Sequence, residues 1–512
     1  MTMEPAVEHD VVAVDEFDAL DYPAIPDRYP AKLHARKVAA ELKAKGESLI
    51  FLEGEPSRTF EDSDMGPTFR QRRYFYYLSG ANFADCAVTY EVARDRLILW
   101  IPYVEPRQVL WFGHTPGIAE CLRKFDVDDV RYTNQLDRFV YDHLPEKSTL
   151  YVIHRNQTPD SAKLRHELGD TYVDWTSLQP AIDQARVIKT DYEVDMIRKA
   201  NAVSAAAHRR VAERLLSLEN EAQIDAIFQA YCTAAGAKDQ AYAIIAGSGP
   251  NAGTLHYDAN NEDLYERDVV VLDAGCEWHC YASDITRTLP IPGRFSDEAG
   301  AIHAVVQRMQ DECIEMIRPG TLFFDLHIHA SRVAQEGLMR LGVLSGDPEA
   351  IWEAGTVAAF FPHGLGHHVG LEVHDVTGRE RLLLFNEVRG GRNVAKREMV
   401  TAEMMSVMAV LTPTARAAAS VPPPYKGRQH LQKNMIVTVE PGVYFCKEYI
   451  EGYFLNNPRH AKFISKSALE KYYRVGGVRI EDDILVTDDG YENLSSGAPK
   501  GEELLKVING EA

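Results

Sequence analysis

The chain has 512 residues, 45% of them hydrophobic, more than one ordinary core organises, so two domains are expected. A formal net charge of −21 disfavours binding to nucleic acid or anionic membranes, which need concentrated Lys and Arg, and no apolar run reaches the roughly 20 residues of a membrane span. Seven cysteines without a regular framework read as reduced thiols of a cytoplasmic protein, with Cys276 and Cys280 too isolated to suggest zinc.

Residues 1–28 lack a basic stretch followed by an apolar core, and are expected to form a loosely ordered acidic extension rather than a targeting segment. From residue 31, AKLHARKVAAELKAKG has helical periodicity. SLIFLEG, RYFYYLSG, AVTYEV and RLILWIPYV then read as strands, and TLYVIH and TYVDW add two more. These elements outline a mixed α/β domain over 29–185. A long amphipathic helical pattern starts at ARVIKTDYEVDM and opens a second domain, 186–512. That domain carries a helix near 221–235, the short strands AYAIIAG, DVVVLDAG and YASDITRTLPI, and helices near 296–317 and 325–341. Residues 386–430, from a basic RGGRNVAKRE to VPPPYKGRQ, keep no periodicity and read as an insertion, with an extended passage at the Pro triplet.

Five residues in the second domain are candidate metal ligands. Asp273 ends one apolar strand, and Asp284, eleven residues on, is expected on a second strand of a hairpin. Two carboxylates pressed together raise each other's pKa unless a cation lies between them, although an Asp at a strand end is also an ordinary turn residue. The segment 361-FPHGLGHHVGLEVHD gathers His363, His367, His368 and His374 among glycines that permit close backbone approach. Glu440 closes the apolar run of MIVTVEPGVYF. Glu481 reads as lying inside the alternating strand of GGVRIEDDILVT, with Arg479 on the same face. A buried Glu calls for a cation or a hydrogen-bond network, and Arg479 by itself could serve Glu481.

Taken in order, LDAG-x7-DITRT, PHGLGHHVGLEVHD, TVEPGVYF and GGVRIEDDILVT resemble the signature blocks of the proline-specific metallopeptidases, aminopeptidase P and prolidase. The resemblance covers roughly 185–495, and QRRYFYYLSG with its α/β surroundings is similar to that family's N-terminal domain. It implies an α/β (α+β) protein in which a mixed N-terminal domain precedes a "pita-bread" catalytic domain. It further implies that Asp273 chelates one metal, that Asp284 and Glu481 bridge two, and that His367 and Glu440 complete the second. His367 is preferred to His368 by the spacing His-Gly-x-x-His from His363. A ligand set of oxygens and one imidazole favours two Mn²⁺ per subunit.

The activity so implied is hydrolysis of the Xaa-Pro bond by a hydroxide bridging two metals, releasing the first residue of peptides with a penultimate proline. Glu440 would carry the proton, His374 would contact the substrate carbonyl, His363 and His256 would line the proline pocket, and Tyr444 and Arg479 would orient ligands beside the substrate. Prolidases place an Arg fourteen residues before the equivalent of Glu440, where this chain has Lys426, with Arg428 close by. Lys is a point charge rather than a bidentate fork, which weakens a strict Xaa-Pro dipeptidase as the alternative and favours the aminopeptidase. A non-enzymatic pita-bread binding module is the remote alternative. Family members are often dimers, so a homodimer is also expected.

Overall fold

The computed structural model describes residues 28–44, 46–144, 147–383 and 428–511. The acidic extension and most of the expected insertion at 386–430, Lys426 included, lie outside the described residues.

Upstream of residue 175 a six-stranded sheet is built from β1 (Leu49–Glu53), β2 (Ala87–Glu91), β3 (Arg96–Ile101), β4 (Asp129–Tyr132), β5 (Ser148–Tyr151) and β6 (Thr171–Asp174), in the order β4-β3-β2-β1-β5-β6. The central pair β1 and β2 is antiparallel, and β5 joins the other edge of β1 in parallel. Alternate residues feed two cores. Ile50, Leu52, Val88, Leu97 and Leu99 face one side, and Leu49, Phe51, Ala87, Ile98 and Trp100 the other, so these strands read as nearly unbroken apolar runs.

Helix α1 (Ala31–Leu42) and α2 (Arg73–Ser79) lie on the first of these sides. The α2 segment is RYFYYLSG, whose aromatics read as a strand. It folds instead as two helical turns buried on every face, stopped by Gly80 in the left-handed region with its N–H donated to the Tyr76 carbonyl. A helix with no polar face leaves no 3.6-residue signature to read.

The long helical pattern at the expected boundary is two helices, α3 (Leu178–Val187) and α4 (Asp191–Arg214). Thr190 breaks them apart by capping α4, reciprocally with Glu193. The expected boundary at 185/186 falls in the last turn of α3.

Beyond α5 (Glu221–Ala234) come β7 (Ile245–Ser248), β8 (Val269–Asp273), the two-residue β9 (Glu277–Trp278) and β10 (Tyr281–Ala282), and β11 (Thr286–Pro290). Helices α6 (Asp297–Glu315) and α7 (Phe323–Arg340) follow, then β12 (Ile436–Val439), β13 (Gly442–Tyr444), β14 (Gly477–Arg479), β15 (Asp482–Val486) and β16 (Tyr491–Asn493). They pair as β11-β8-β7, β12-β15-β16 and β13-β14. Helices α4 and α5 cover β8 through Val203, Ala207, Phe228, Val270 and Leu272, whereas α6 and α7 cover β12 and β15 through Val306, Met309, Val333, Val437 and Ile484. Thr286 joins the two halves, paired with Asp273 on one side and bridged to Glu481 on the other.

Two placements expected from the sequence are corrected. Asp284 is not on a strand but in the break between β10 and β11, and Glu481 sits in the break between β14 and β15. Both carboxylates leave the backbone where regular pairing stops, which frees them to turn inward.

Candidate metal centre

The side chains of Asp284, His367 and Glu481 converge, each offering an atom within 4.8 Å of the others. Nε2 of His367 is 3.4 Å from Oδ2 of Asp284 and 3.4 Å from Oε1 of Glu440. Asp273 joins through Tyr242, whose hydroxyl is 2.6 Å from Oδ1 of Asp273 and 2.6 Å from Oδ1 of Asp284. The five candidate ligands thus occupy one locality.

Local geometry aims His367. Its backbone N–H donates to Thr438 Oγ1 at 3.1 Å, and its Nδ1 lies 3.1 Å from the His368 carbonyl. An acceptor there places a proton on Nδ1, so Nε2, which faces two carboxylates, is the nitrogen left for a metal. Gly366 allows the close approach: a Cβ there would lie 2.0 Å from the Thr438 carbonyl oxygen. His368 points elsewhere, buried with Nε2 2.5 Å from Gln429 Oε1.

The charges are strongly frustrated without a cation. Burial, then Asp273 and Asp483, pushes the Asp284 carboxyl far above the usual range. Burial and Glu481 do the same to Glu440, and burial with Asp284 and Asp273 to Glu481. Glu481 accepts from Thr286 Oγ1 at 2.6 Å through Oε2, but its buried Oε1 has no hydrogen-bond partner among the described residues. An orphaned carboxylate oxygen, an imidazole nitrogen facing two carboxylates and several acids held close together fit a divalent metal site, since a cation offsets the negative charge gathered there.

Arg479 is buried behind the cluster. Nη2 donates to Asp273 Oδ2 at 2.6 Å, Nη1 to the Tyr444 hydroxyl at 3.0 Å, and Nε to Thr286 Oγ1 at 3.3 Å. Its ion pair is therefore with Asp273, not with the Glu481 suggested by strand alternation. The Tyr444 hydroxyl also lies 2.9 Å from Nε2 of His363, whose Nδ1 is 2.7 Å from the Gly364 carbonyl. Burial first, and Arg479 next, lowers the His363 pKa to about 3.

His374 stands exposed, its ring 4.3 Å from that of His367, and that neighbouring imidazole is the main cause of its pKa falling to about 3. His256 is exposed on the turn after Gly253 and contributes to the lowering at both His363 and His374. Arg428 stacks on the Phe324 ring at 3.5 Å.

Three participants escape a motif reading. Tyr242 contacts acids 31 and 42 positions away. Thr286 links Glu481 and Arg479, and Asp483 accepts the Asp284 backbone N–H at 2.9 Å and Asn201 Nδ2 at 2.8 Å. The Thr in DITRT and the second Asp in EDD were visible signals, whereas Tyr242 had no local one.

Residues 195–488 match the model of metallopeptidase family M24, and residues 34–152 match the aminopeptidase P N-terminal domain. Over the full length of both chains, the sequence is 71% identical to a protein of Colletotrichum graminicola named "Probable Xaa-Pro aminopeptidase". It is 56% identical to a protein of the same name from Metarhizium robertsii, over 98% of this chain and 99% of the other. Among solved structures, aminopeptidase PepP of Pseudomonas aeruginosa superposes with a TM-score of 0.75 at 27% identity, covering 95% and 99% of the two chains. Zinc-substituted Escherichia coli aminopeptidase P in complex with product shares the fold, with a TM-score of 0.74 at 24% identity and coverage of 95% and 99%.

Proposed function

The chain belongs to metallopeptidase family M24, and from that premise we propose that it is an Xaa-Pro aminopeptidase, removing the first residue from peptides whose second is proline. It is a metallo-aminopeptidase: a hydrolase with a mixed α/β N-terminal domain ahead of a pita-bread domain, a divalent metal and a peptide substrate. The observation that carries the reading is the convergence of Asp284, His367 and Glu481, with Asp273 and Glu440 beside them, in a chain matched end to end by proteins of that name.

In this reading Asp273, Asp284, His367, Glu440 and Glu481 hold two Mn²⁺ ions, which supply Lewis acidity toward the scissile carbonyl and a water-derived nucleophile at neutral pH. Glu440 carries the proton. Its Oε1 is 3.4 Å from His367 and its Oε2 3.9 Å from His363, which places the carboxylate inside the cluster, where it would carry a proton from water to the leaving proline nitrogen. His374, exposed beside His367 and neutral at physiological pH, donates to the substrate oxygen. His363 and His256 line the proline side, and Arg479 with Tyr444 fixes Asp273 from behind. An Xaa-Pro amide has no N–H, so recognition has to come from the carbonyl and the ring.

A strict dipeptidase needs a cation for the free proline carboxylate, and Lys426, standing where prolidases place an Arg, supports the aminopeptidase instead. Lys426 and Arg428 remain the residues by which length selection would be tuned.

The reading extends to a homodimer. Helix residues 106–112 bury no side chain, and Leu110, Trp111 and Phe112 are 84%, 79% and 83% exposed, a patch suited to a second copy. Free thiols at all seven cysteines suit a cytoplasmic location. Among the described residues no helix is long and apolar enough to cross a membrane. The proposed organisation is an extension over 1–28, an N-terminal domain to 185 and a catalytic domain with an insertion near 386–430.

The test is a panel of Xaa-Pro dipeptides and Xaa-Pro-Yaa peptides, assayed with and without Mn²⁺. Mn²⁺-dependent release of Xaa from the longer peptides is expected, and activity confined to dipeptides overturns the aminopeptidase.

A further inference from the structure

The histidine segment ends in Asp375, and this acid is fully buried although its neighbour His374 is exposed. Its carboxylate takes Nη2 of Arg186 at 2.5 Å on Oδ1 and Nζ of Lys189 at 3.2 Å on Oδ2, with all three side chains at most 2% exposed. Burial alone would raise this carboxyl, but Arg186 and Lys189 draw it below the usual range. Arg186 is itself stacked on Tyr74, 5.2 Å from the ring centre. Packing leaves no slack, because a Cβ on Gly370 would meet Asp375 Oδ2 at 2.2 Å.

Both cations come from outside the catalytic elements, Arg186 from the last turn of α3 and Lys189 from the link between α3 and α4, upstream of the metallopeptidase match at 195. A second clamp runs parallel to the first. Arg70 donates to Glu277 at 2.8 Å and to Glu372 at 2.5 Å, and Arg73 donates to Glu277 at 2.5 Å. Glu277 sits between Asp273 and Asp284, and Glu372 two residues before His374.

The backbone carries the hold onward. The Asp375 N–H donates to the His368 carbonyl at 2.8 Å, the same carbonyl that receives Nδ1 of His367. The His374 ring in turn rests against the His367 ring. Asp375 is thus bonded through its N–H to the carbonyl that receives His367 Nδ1, and it is the next residue after the His374 whose ring meets His367.

We propose that Arg186 and Lys189, acting through Asp375, are positioning residues for His374, so that the segment joining the two domains sets the geometry of the substrate-oxygen donor. The proposal rests on the role given to His374 above. Exposed salt bridges contribute little, but a buried ion pair fixes its members within a narrow geometry, and breaking it leaves an unpaired charge that forces rearrangement.

The test is a double-mutant cycle of Asp375→Asn with His374→Ala, read as kcat and KM on an Xaa-Pro-Yaa peptide, alongside the crystal structure of the Asp375→Asn enzyme. Lys189→Met, which keeps the Arg186 pair, replaces Asp375→Asn if that variant does not fold. Each single variant is expected to lower kcat by about 10–100-fold with KM moving less. The double variant should be no slower than His374→Ala alone, because neighbours acting through one group are non-additive. The structure should show the His374 ring displaced from His367. Losses that multiply, or a His374 ring still packed edge-on against His367, overturn the proposal. A wild-type enzyme inactive on every Xaa-Pro peptide would defeat the aminopeptidase reading instead, and the ring position would still decide this one.

Discussion

The hydroxyl of Tyr242 stands 2.6 Å from Oδ1 of Asp284 and equally close to Oδ1 of Asp273, so one proton faces two acceptors. A single O–H donates to one of them at a time. The second contact is favourable only if an aspartate is protonated or a cation neutralises the pair. Tyr242 thus reports the charge state of the centre, and burial beside these acids holds its own pKa far above the ordinary phenol value.

Tyr242→Phe is expected to weaken Mn²⁺ binding or activity by about 10–100-fold, the usual cost of losing a group that orients a ligand. Calorimetric titration of the metal-free protein with Mn²⁺ checks this, and an unchanged isotherm and kcat would mean that the hydroxyl is passive.

Asp284→Asn keeps the shape but removes the charge that lies next to both His367 and Tyr242. Bound metal per subunit and peptidase activity should fall together, activity by at least ~100-fold. An active, metal-free variant would falsify the assignment.

Acids with raised pKa values in the metal-free fold set a pH dependence of known sign. For Asp284, Glu440 and Glu481 the folded state binds more protons than the unfolded state between the ordinary carboxylate pKa and the raised one. Their contribution to stability is complete below that window and is lost as pH rises through it. Metal displaces those protons, so its affinity climbs with pH. Thermal melts at pH 5.5 and pH 8 should therefore show the gap between metal-loaded and metal-free protein widening at the higher pH. A gap that narrows would count against the site.

Gly366→Ala should destabilise by about 1–3 kcal/mol, the range for forcing an atom into a packed site. The added Cβ would sit 2.0 Å from the Thr438 carbonyl oxygen and cannot be absorbed by a flexible side chain. Denaturant unfolding measures the loss, and reduced metal affinity should accompany it, because His367 is the next residue.

What the sequence disclosed depended on how local each signal is. Strands β1, β2 and β3 were legible because SLIFLEG, AVTYEV and RLILWIPYV are short apolar runs with turn residues at their ends. RYFYYLSG misled because aromatic richness favours strands, while a helix buried on all faces erases its own periodicity. The five candidate ligands were legible from their flanking motifs, but the breaks that hold Asp284 and Glu481 were not, since interrupted pairing is imposed by the partner strand. Asp375 read only as the end of HD, because the cations that give it meaning arrive from positions 186 and 189.

The double pairing of Thr286 ties the centre to the order of synthesis. Asp273 and Asp284 leave the ribosome long before Glu481, yet Thr286 must bridge to Glu481 before the set of acids closes. Contacts so distant along the chain form late. A nascent or truncated chain ending before β14 therefore holds Asp273, Asp284, His367 and Glu440 without Glu481, and the set of acids closes only once the segment beyond β14 has been made.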